Sequence, residues 1–302
     1  MLDVRIETFL ELCHTMSYTK TAEHLFITQP AVTQHIQFLE KKYGVKLFEY
    51  RSKTLSLTRA GEALREMSMQ MKVNSIAVSE RLRMLQGKKE SLKIGATKSI
   101  GDYIMPCILS DFIFIHPEAE VSLCVNNTRE LLQELESGKI DAAFVEGFFS
   151  RNSYESRVLS HVPFFAVCGK NHPFSQGQVS FEKLTQETLF LREPGSGTRQ
   201  IAMQILNEHN IALDDFHAVT EISSFAVIGE LVRNNQGITF AYETVTKDWI
   251  EKGYVVPVSI EDFSAARAFR YVFTKNSLRE QELLNFYQFC KDGSYFKSMP
   301  SI

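Results

Sequence analysis

From residue 91 to residue 302, short apolar runs alternate with stretches of helical apolar spacing, and this alternation limits the possible folds most. Runs at 92–96, 121–125 and 142–145 are separated by helical patterns over 104–115 and 129–135. A second set has runs at 164–168, 188–191, 218–222 and 238–241, with helical patterns over 198–208 and 225–233. A run at 269–273 and a closing helix over 278–290 complete the chain. Strands joined through helices lie parallel and are covered on both faces. The pattern therefore predicts an α/β body in two halves, each a mostly parallel sheet.

Residues 1–61 carry a different pattern. Ile6, Phe9, Leu10, Leu12 and Cys13 predict a first helix that stops before Ser17, and Thr19 is placed to cap a short second one holding Ala22, His24 and Leu25. Thr28 caps a third helix with Pro30 in its first turn, where the missing N–H leaves no bond unmade. That helix buries Ala31, Val32, Ile36 and Leu39, shows Thr33, Gln34 and Gln37 on its other face, and ends at Gly44. Leu47-Phe48 and the run 55–57 predict a small hairpin, or wing, carrying Arg51 and Lys53. A helix exposing Gln and Thr near its N-terminus suits the DNA major groove, where Gln pairs with adenine while wing cations meet phosphate. The candidate contacts to double-stranded DNA are Thr28, Gln29, Pro30, Thr33, Gln34, Arg51 and Lys53. A plain three-helix bundle with a solvated polar face has the same spacing.

Charge separates the two regions. The 302 residues sum to −3, which excludes a protein that coats nucleic acid by bulk charge. Yet residues 1–90 hold 14 Lys+Arg against 10 Asp+Glu, and the remainder holds 19 against 26. A basic head precedes an acidic body. No run approaches the roughly 18 apolar residues of a membrane span, and the opening MLDVRIETFL bears acids where a signal peptide is basic. The five cysteines make neither metal-ligand spacing nor a CxxC pair, so reduced thiols in a soluble cytoplasmic protein without cofactor or metal are expected. Between head and body, Leu64, Met67, Met71, Val78, Leu82 and Leu85 recur at the spacing of a helix that pairs with its own copy. Asn74 interrupts this stripe, either setting register or lying solvated at its edge, and Gly87-Lys88-Lys89 reads as a hinge.

The string Thr21-Ala22-Glu-His-Leu25-Phe-Ile-Thr28-Gln29-Pro30-Ala31-Val32-Thr33-Gln-His-Ile36-Gln-Phe-Leu39-Glu40, continued by Gly44, Leu47-Phe48 and Leu57-Thr58-Arg-Ala60-Gly61, resembles the signature of the LysR-type transcriptional regulators. The match depends on many positions and is correspondingly specific. Three positions depart from the pattern: Tyr50 and Lys53 stand where the family usually has wing arginines, and Thr21 where alanine is commoner. The resemblance implies a winged helix-turn-helix head (1–61), a linker helix that dimerises (62–87) and a two-lobed body of the type 2 periplasmic-binding-protein kind. Its lobes would comprise 91–162 with 267–302, and 163–266, joined by crossovers near Val162 and Ala266. It also implies a dimer, or a dimer of dimers, reading a pseudo-palindromic promoter site.

Ligands of open α/β sheets sit beyond the carboxyl ends of strands, where helix N-termini offer free N–H groups. Four segments qualify: Thr97-Lys98-Ser99, Asn126-Asn127-Thr128, Glu146-Gly147, and the loop Arg192-Glu193-Pro194-Gly195-Ser196-Gly197-Thr198-Arg199. They nominate Thr97, Lys98, Ser99, Asn127, Glu146, Arg192, Ser196 and Thr198 as contacts to a small anionic effector. The glycine-containing loop fits an anion site and equally a helix-capping turn with a surface arginine. No Lys-Ser/Thr pair follows its last glycine, so it is not a nucleotide P-loop. In the resembled family this cleft takes the inducer. The 193–199 loop and Val145-Glu146-Gly147 are similar to a branch that includes regulators of sulfur assimilation and carbon fixation, whose members sense small, often anionic metabolites. Ser223-Ser224 is expected only to cap a helix. His161, His172 and Cys168 form no nucleophile–base spacing, and Cys168 has no near thiol partner, so neither an enzyme nor a redox sensor is expected.

Overall fold

A computed structural model of the chain describes residues 3–51, 54–86, 91–147, 149, 154–293 and 295–296. Contacts divide them into two units. The first holds the residues up to 86 with 136–138 and 274–280, and the second holds the rest.

In the first unit, α1 (Val4–Thr15), α2 (Tyr18–Leu25) and α3 (Gln29–Tyr43) precede the hairpin β1 (Phe48–Arg51) and β2 (Thr54–Leu57), and α4 (Arg59–Met84) follows. The sequence places most boundaries because each helix carries its own stop and start. Thr28 accepts from the Ala31 N–H at the start of α3, Pro30 lies in its first turn, and Gly44 closes it at φ +69°. One cap differs from the expected one. Ser17, not Thr19, starts α2, because its extended backbone aims the hydroxyl at the Lys20 N–H while Thr19 lies within the helix. Ile6, Phe9, Leu12, Cys13, Ile36, Leu39, Leu47, Phe48 and Leu55 form one core, with Phe9 edge-on to Phe48 at 5.7 Å. Ala31 is only half-buried, so α3 seats itself through Val32, Ile36 and Leu39. Gly61 is obligatory, since a Cβ there would collide with the Leu47 carbonyl oxygen where α4 crosses the hairpin. Asn74 is half-buried and held: its Nδ2 donates to the Asn276 carbonyl at 3.1 Å and its Oδ1 accepts from the Leu278 N–H at 3.0 Å. The expected hinge at Gly87-Lys88-Lys89 lies outside the described residues.

The second unit runs β3 (Ser91–Ala96), α5 (Lys98–Gly101), α6 (Met105–Ile115), β4 (Glu120–Val125), α7 (Thr128–Ser137), β5 (Ala142–Val145) and β6 (Tyr154–Gly169). It continues through β7 (Gln178–Val179), α8 (Phe181–Leu184), β8 (Thr188–Leu191), α9 (Gly197–Glu208), β9 (Ala218–Glu221), α10 (Phe225–Arg233), β10 (Ile238–Tyr242) and α11 (Glu243–Glu251). Last come β11 (Val255–Pro257), β12 (Ser259–Ile260), β13 (Ala266–Thr274) and α12 (Glu280–Asp292). The main sheet is ordered β4-β3-β5-β13-β6-β10-β8-β9. Two parallel sets, β4-β3-β5 and β10-β8-β9, flank the antiparallel pairings of β13 with β5 and of β6 with β10. β5 and β10 are buried at every residue, the signature of strands covered on both faces.

Two features exceed the sequence expectation. The run 164–168 is the end of the sixteen-residue β6, whose first part mixes polar and apolar residues without a regular period up to Pro163. Proline donates no ladder bond, and the pairing with β10 begins at Phe164, one residue later. The helix α11 follows β10 with no intervening loop.

Candidate functional site

The candidate reading surface is the N-terminal half of α3. Thr28, Gln29, Pro30 and Gln34 are exposed and Thr33 is half-buried. The Thr33 hydroxyl donates to the Gln29 carbonyl at 3.1 Å, so its proton is already used and Thr33 offers a base a lone pair and a methyl group. The free amides of this surface are those of Gln29 and Gln34. In the wing, Arg51 is exposed and paired with Glu49 at 2.6 Å, an exchange partner that a phosphate can replace because exposed pairs contribute only about 0–1 kcal/mol. Tyr50 is exposed beside it, and Lys53 lies outside the described residues.

The second candidate site forms where the segments after β3, β5 and β8 converge. Glu146 follows β5 and is 2 % exposed. Its Oε2 accepts from the Thr97 hydroxyl and its Oε1 from Ser99 Oγ at 2.9 Å. Thr198 Oγ1 lies 3.2 Å from Ser99 Oγ and 3.4 Å from Glu146 Oε1, and Thr128 Oγ1 donates to the Glu146 carbonyl at 2.9 Å. Gly197 permits this approach, since a Cβ there would meet Glu146. Ser196 caps α9, its Oγ accepting from the Arg199 N–H, and the Asn127 side chain caps α7 beside Gly195. Lys98 Nζ donates to the Ser223 carbonyl at 2.9 Å, and Ser224 caps α10.

Arg192 is buried, stacks its guanidinium 4.4 Å above the Phe225 ring and donates two parallel bonds, of 2.8 and 2.9 Å, to its neighbour Glu193. Against the upward push of partial burial, those bonds hold the Glu193 carboxyl below its ordinary value. Arg199 Nη1 donates both to the Arg192 carbonyl and to Glu221. Burial pushes the Glu146 carboxyl up, opposed by its hydroxyl partners and by the Arg192 charge.

A carboxyl whose folded pKa is raised loses stability as pH rises from its ordinary value of 4.5 through the folded one. Glu146→Gln removes that dependence. Its melting temperature is expected to gain on that of the unmodified protein between pH 4.5 and neutrality, by about 2–4 °C for each kcal/mol of buried-charge cost. Parallel melting curves across that range would contradict the assignment.

Thus Thr97, Ser99, Glu146 and Thr198 meet directly and Arg192 acts on them through its charge, while Lys98, Asn127 and Ser196 lie on the adjoining segments. Sequence reasoning missed Tyr242, which ends β10, is fully buried, and lies in the electric field of Glu146 and Arg267. The rule that ligands gather at carboxyl ends of strands applied to it as well, but the run was ended at residue 241. Burial pushes the thiols of Cys13, Cys124 and Cys168 up to about 12. Among the described residues no group of three or more His, Cys, Asp or Glu is placed to hold a metal, and no helix is long and apolar enough to cross a membrane.

Comparison with known proteins identifies the family. Residues 4–62 match the family model for the bacterial regulatory helix-turn-helix protein, lysR family, and residues 85–294 match the LysR substrate binding domain. The HTH-type transcriptional activator CmpR of Synechocystis sp. is 32 % identical over 237 residues, covering 78 % of this chain and 77 % of its own. The HTH-type transcriptional regulator CysL of Bacillus subtilis is 28 % identical, covering 88 % and 89 %. Among solved structures, the CcmR regulatory domain of Synechocystis PCC6803 in complex with 2-PG superposes with a TM-score of 0.61 at 19 % identity, over 68 % of this chain and 99 % of that one. Through an N-terminal DNA-reading domain and a C-terminal substrate-binding domain that together span nearly its whole length, the chain belongs to the LysR family of transcriptional regulators.

Proposed function

We propose that the body of this regulator binds a small anion at the Glu146 cleft and that the bound anion changes how paired reading heads engage a promoter. The observation that carries this reading is the convergence of Thr97, Lys98, Ser99, Asn127, Glu146, Arg192, Ser196 and Thr198 on one end of the sheet. Lys98 and the N-terminus of the twelve-residue α9 favour negative charge there, while Arg192 and Arg199 share their charges with Glu193 and Glu221. CcmR, similar in fold, was solved with 2-PG. In this reading the chain comprises a reading head (1–61), a linker (62–87), and lobes 91–162 with 267–302 and 163–266. The order of the main sheet supports the last division, because β6 and β13 lie between the two parallel sets. Thr28, Gln29, Pro30, Thr33 and Gln34 face the bases while Arg51 and Lys53 meet phosphate, in a protein acting in the cytoplasm.

Coupling requires that anion and DNA each prefer one arrangement of the assembly. The test is a thermal-shift panel of small organic and inorganic anions on the full-length protein, followed by promoter titration with each hit. Ser196→Ala is expected to weaken a hit about 10- to 150-fold, one hydrogen bond to a charged group being worth ~1.5–3 kcal/mol, and Thr198→Ala to weaken it less, by loosening the hydroxyls held around Glu146. Undiminished binding in both would remove the loop from the site.

A further inference from the structure

A serine or threonine hydroxyl has one proton to give. Around Glu146 the hydroxyl protons are committed: Thr97 and Ser99 donate to the carboxylate, Thr128 to the main-chain carbonyl, and Thr198 sits within bonding distance of Ser99 and the carboxylate. Residues that a motif reading assigns as donors to an anion therefore present only lone pairs to it. The cations near them are differently placed. Lys98 holds a carbonyl, Arg192 holds Glu193, and Arg199 bridges a carbonyl and Glu221, all with charge that acts at a distance. A carboxylate has about four acceptor positions, and the hydroxyls fill at most three of those on Glu146. Nearby, the Tyr242 hydroxyl is fully buried, has no hydrogen-bond partner among the described residues, and shares the field of Glu146. Buried hydroxyls are nearly always partnered, so this one is left open to a hydrogen-bond partner from outside the chain.

Resting on the anion-binding reading above, we propose that Glu146 is a specificity residue that makes the cleft select oxyanions bearing their own proton. Such a ligand donates its O–H to the open position on Glu146, accepts from the N–H groups at the start of α9, and lies in the field of Lys98 and Arg192. Hydrogen phosphate and singly protonated phosphate monoesters qualify. Sulfate, of nearly the same size and charge, carries no proton near neutral pH and would set its lone pairs against the Glu146 carboxylate. A buried acceptor left facing an acceptor is the strongest form of discrimination such a site can make.

The test uses calorimetric titration of the full-length protein with inorganic phosphate and with sulfate, at neutral pH and matched ionic strength. Phosphate is expected to bind on the order of 100-fold more tightly than sulfate. In Glu146→Gln, where an amide N–H replaces one carboxylate oxygen, sulfate gains and the two anions bind within about threefold of each other. Equal binding by the unmodified protein overturns the proposal and leaves the anion-binding reading standing. Binding of neither anion overturns the proposal, and if the wider panel also yields no hit the anion-binding reading falls with it. An unchanged ratio in Glu146→Gln removes Glu146 as its source. The comparison on the unmodified protein needs no variant to fold.

Discussion

Replacing Met71 and Leu82 with glutamate is expected to turn the protein into a monomer and to weaken promoter binding at least about a hundredfold. Met67, Met71, Val78, Leu82 and Leu85 are all exposed on or just beyond α4, at steps of four, seven, four and three residues. Such steps place them along one side of the helix, a strip that water cannot satisfy and a second α4 can. Each reading head has few cations to set on phosphate, so one head alone binds weakly and is easily displaced by salt. Joining two heads makes the second contact intramolecular, which raises avidity by roughly 10²–10⁴ without any new contact. Light scattering reads the mass and a DNA titration reads the affinity. A double variant that keeps the assembled mass of the unmodified protein would show that the strip is not the seam.

Gln29→Ala is expected to cost about 1–3 kcal/mol at each half-site, and so about 2–6 kcal/mol for a two-headed complex. The loss should fall on one base position and relax the preference there, the signature of an amide that reads a base edge. Pro30→Gly should weaken binding at every sequence, since it frees the first turn of α3 that the proline ring holds near its helical φ. Arg51→Ala should also act evenly across sequences and should lower the salt slope by about one per head. These three signatures separate base reading, helix order and phosphate contact in one series of titrations. Retention of both affinity and preference in Gln29→Ala would remove the amide from the reading surface.

Much of this architecture was legible locally. The bounds of α3 follow from Thr28, Pro30 and Gly44, each of which acts on the backbone within four residues. The strands of the body were visible as apolar runs because a strand covered on both faces has no polar side to interrupt it. Where the reading slipped, two physical effects competed. Ser17 and Thr19 are equally good caps by composition, and the extended backbone at Ser17 chose between them. The first part of β6 mixes polar and apolar residues without a strand period and ends on a proline, which a linear reading takes for loop. The role of Asn74 was open for a further reason: its partners, Asn276 and Leu278, lie about two hundred residues away in sequence.

The sequence alone determined that a helical reading head precedes an α/β body, and it named the residues at the ends of the right strands. Helix caps and apolar period are short-range properties, so they can be read from neighbours along the chain. Only the tertiary structure decided what those residues do for one another. Thr97, Glu146 and Thr198 lie about fifty residues apart in succession, yet their side-chain oxygens converge. A hydroxyl's one proton and a carboxylate's lone pairs are shared out by distance in space. That sharing turns a set of apparent anion donors into an acceptor-lined floor around one buried carboxylate.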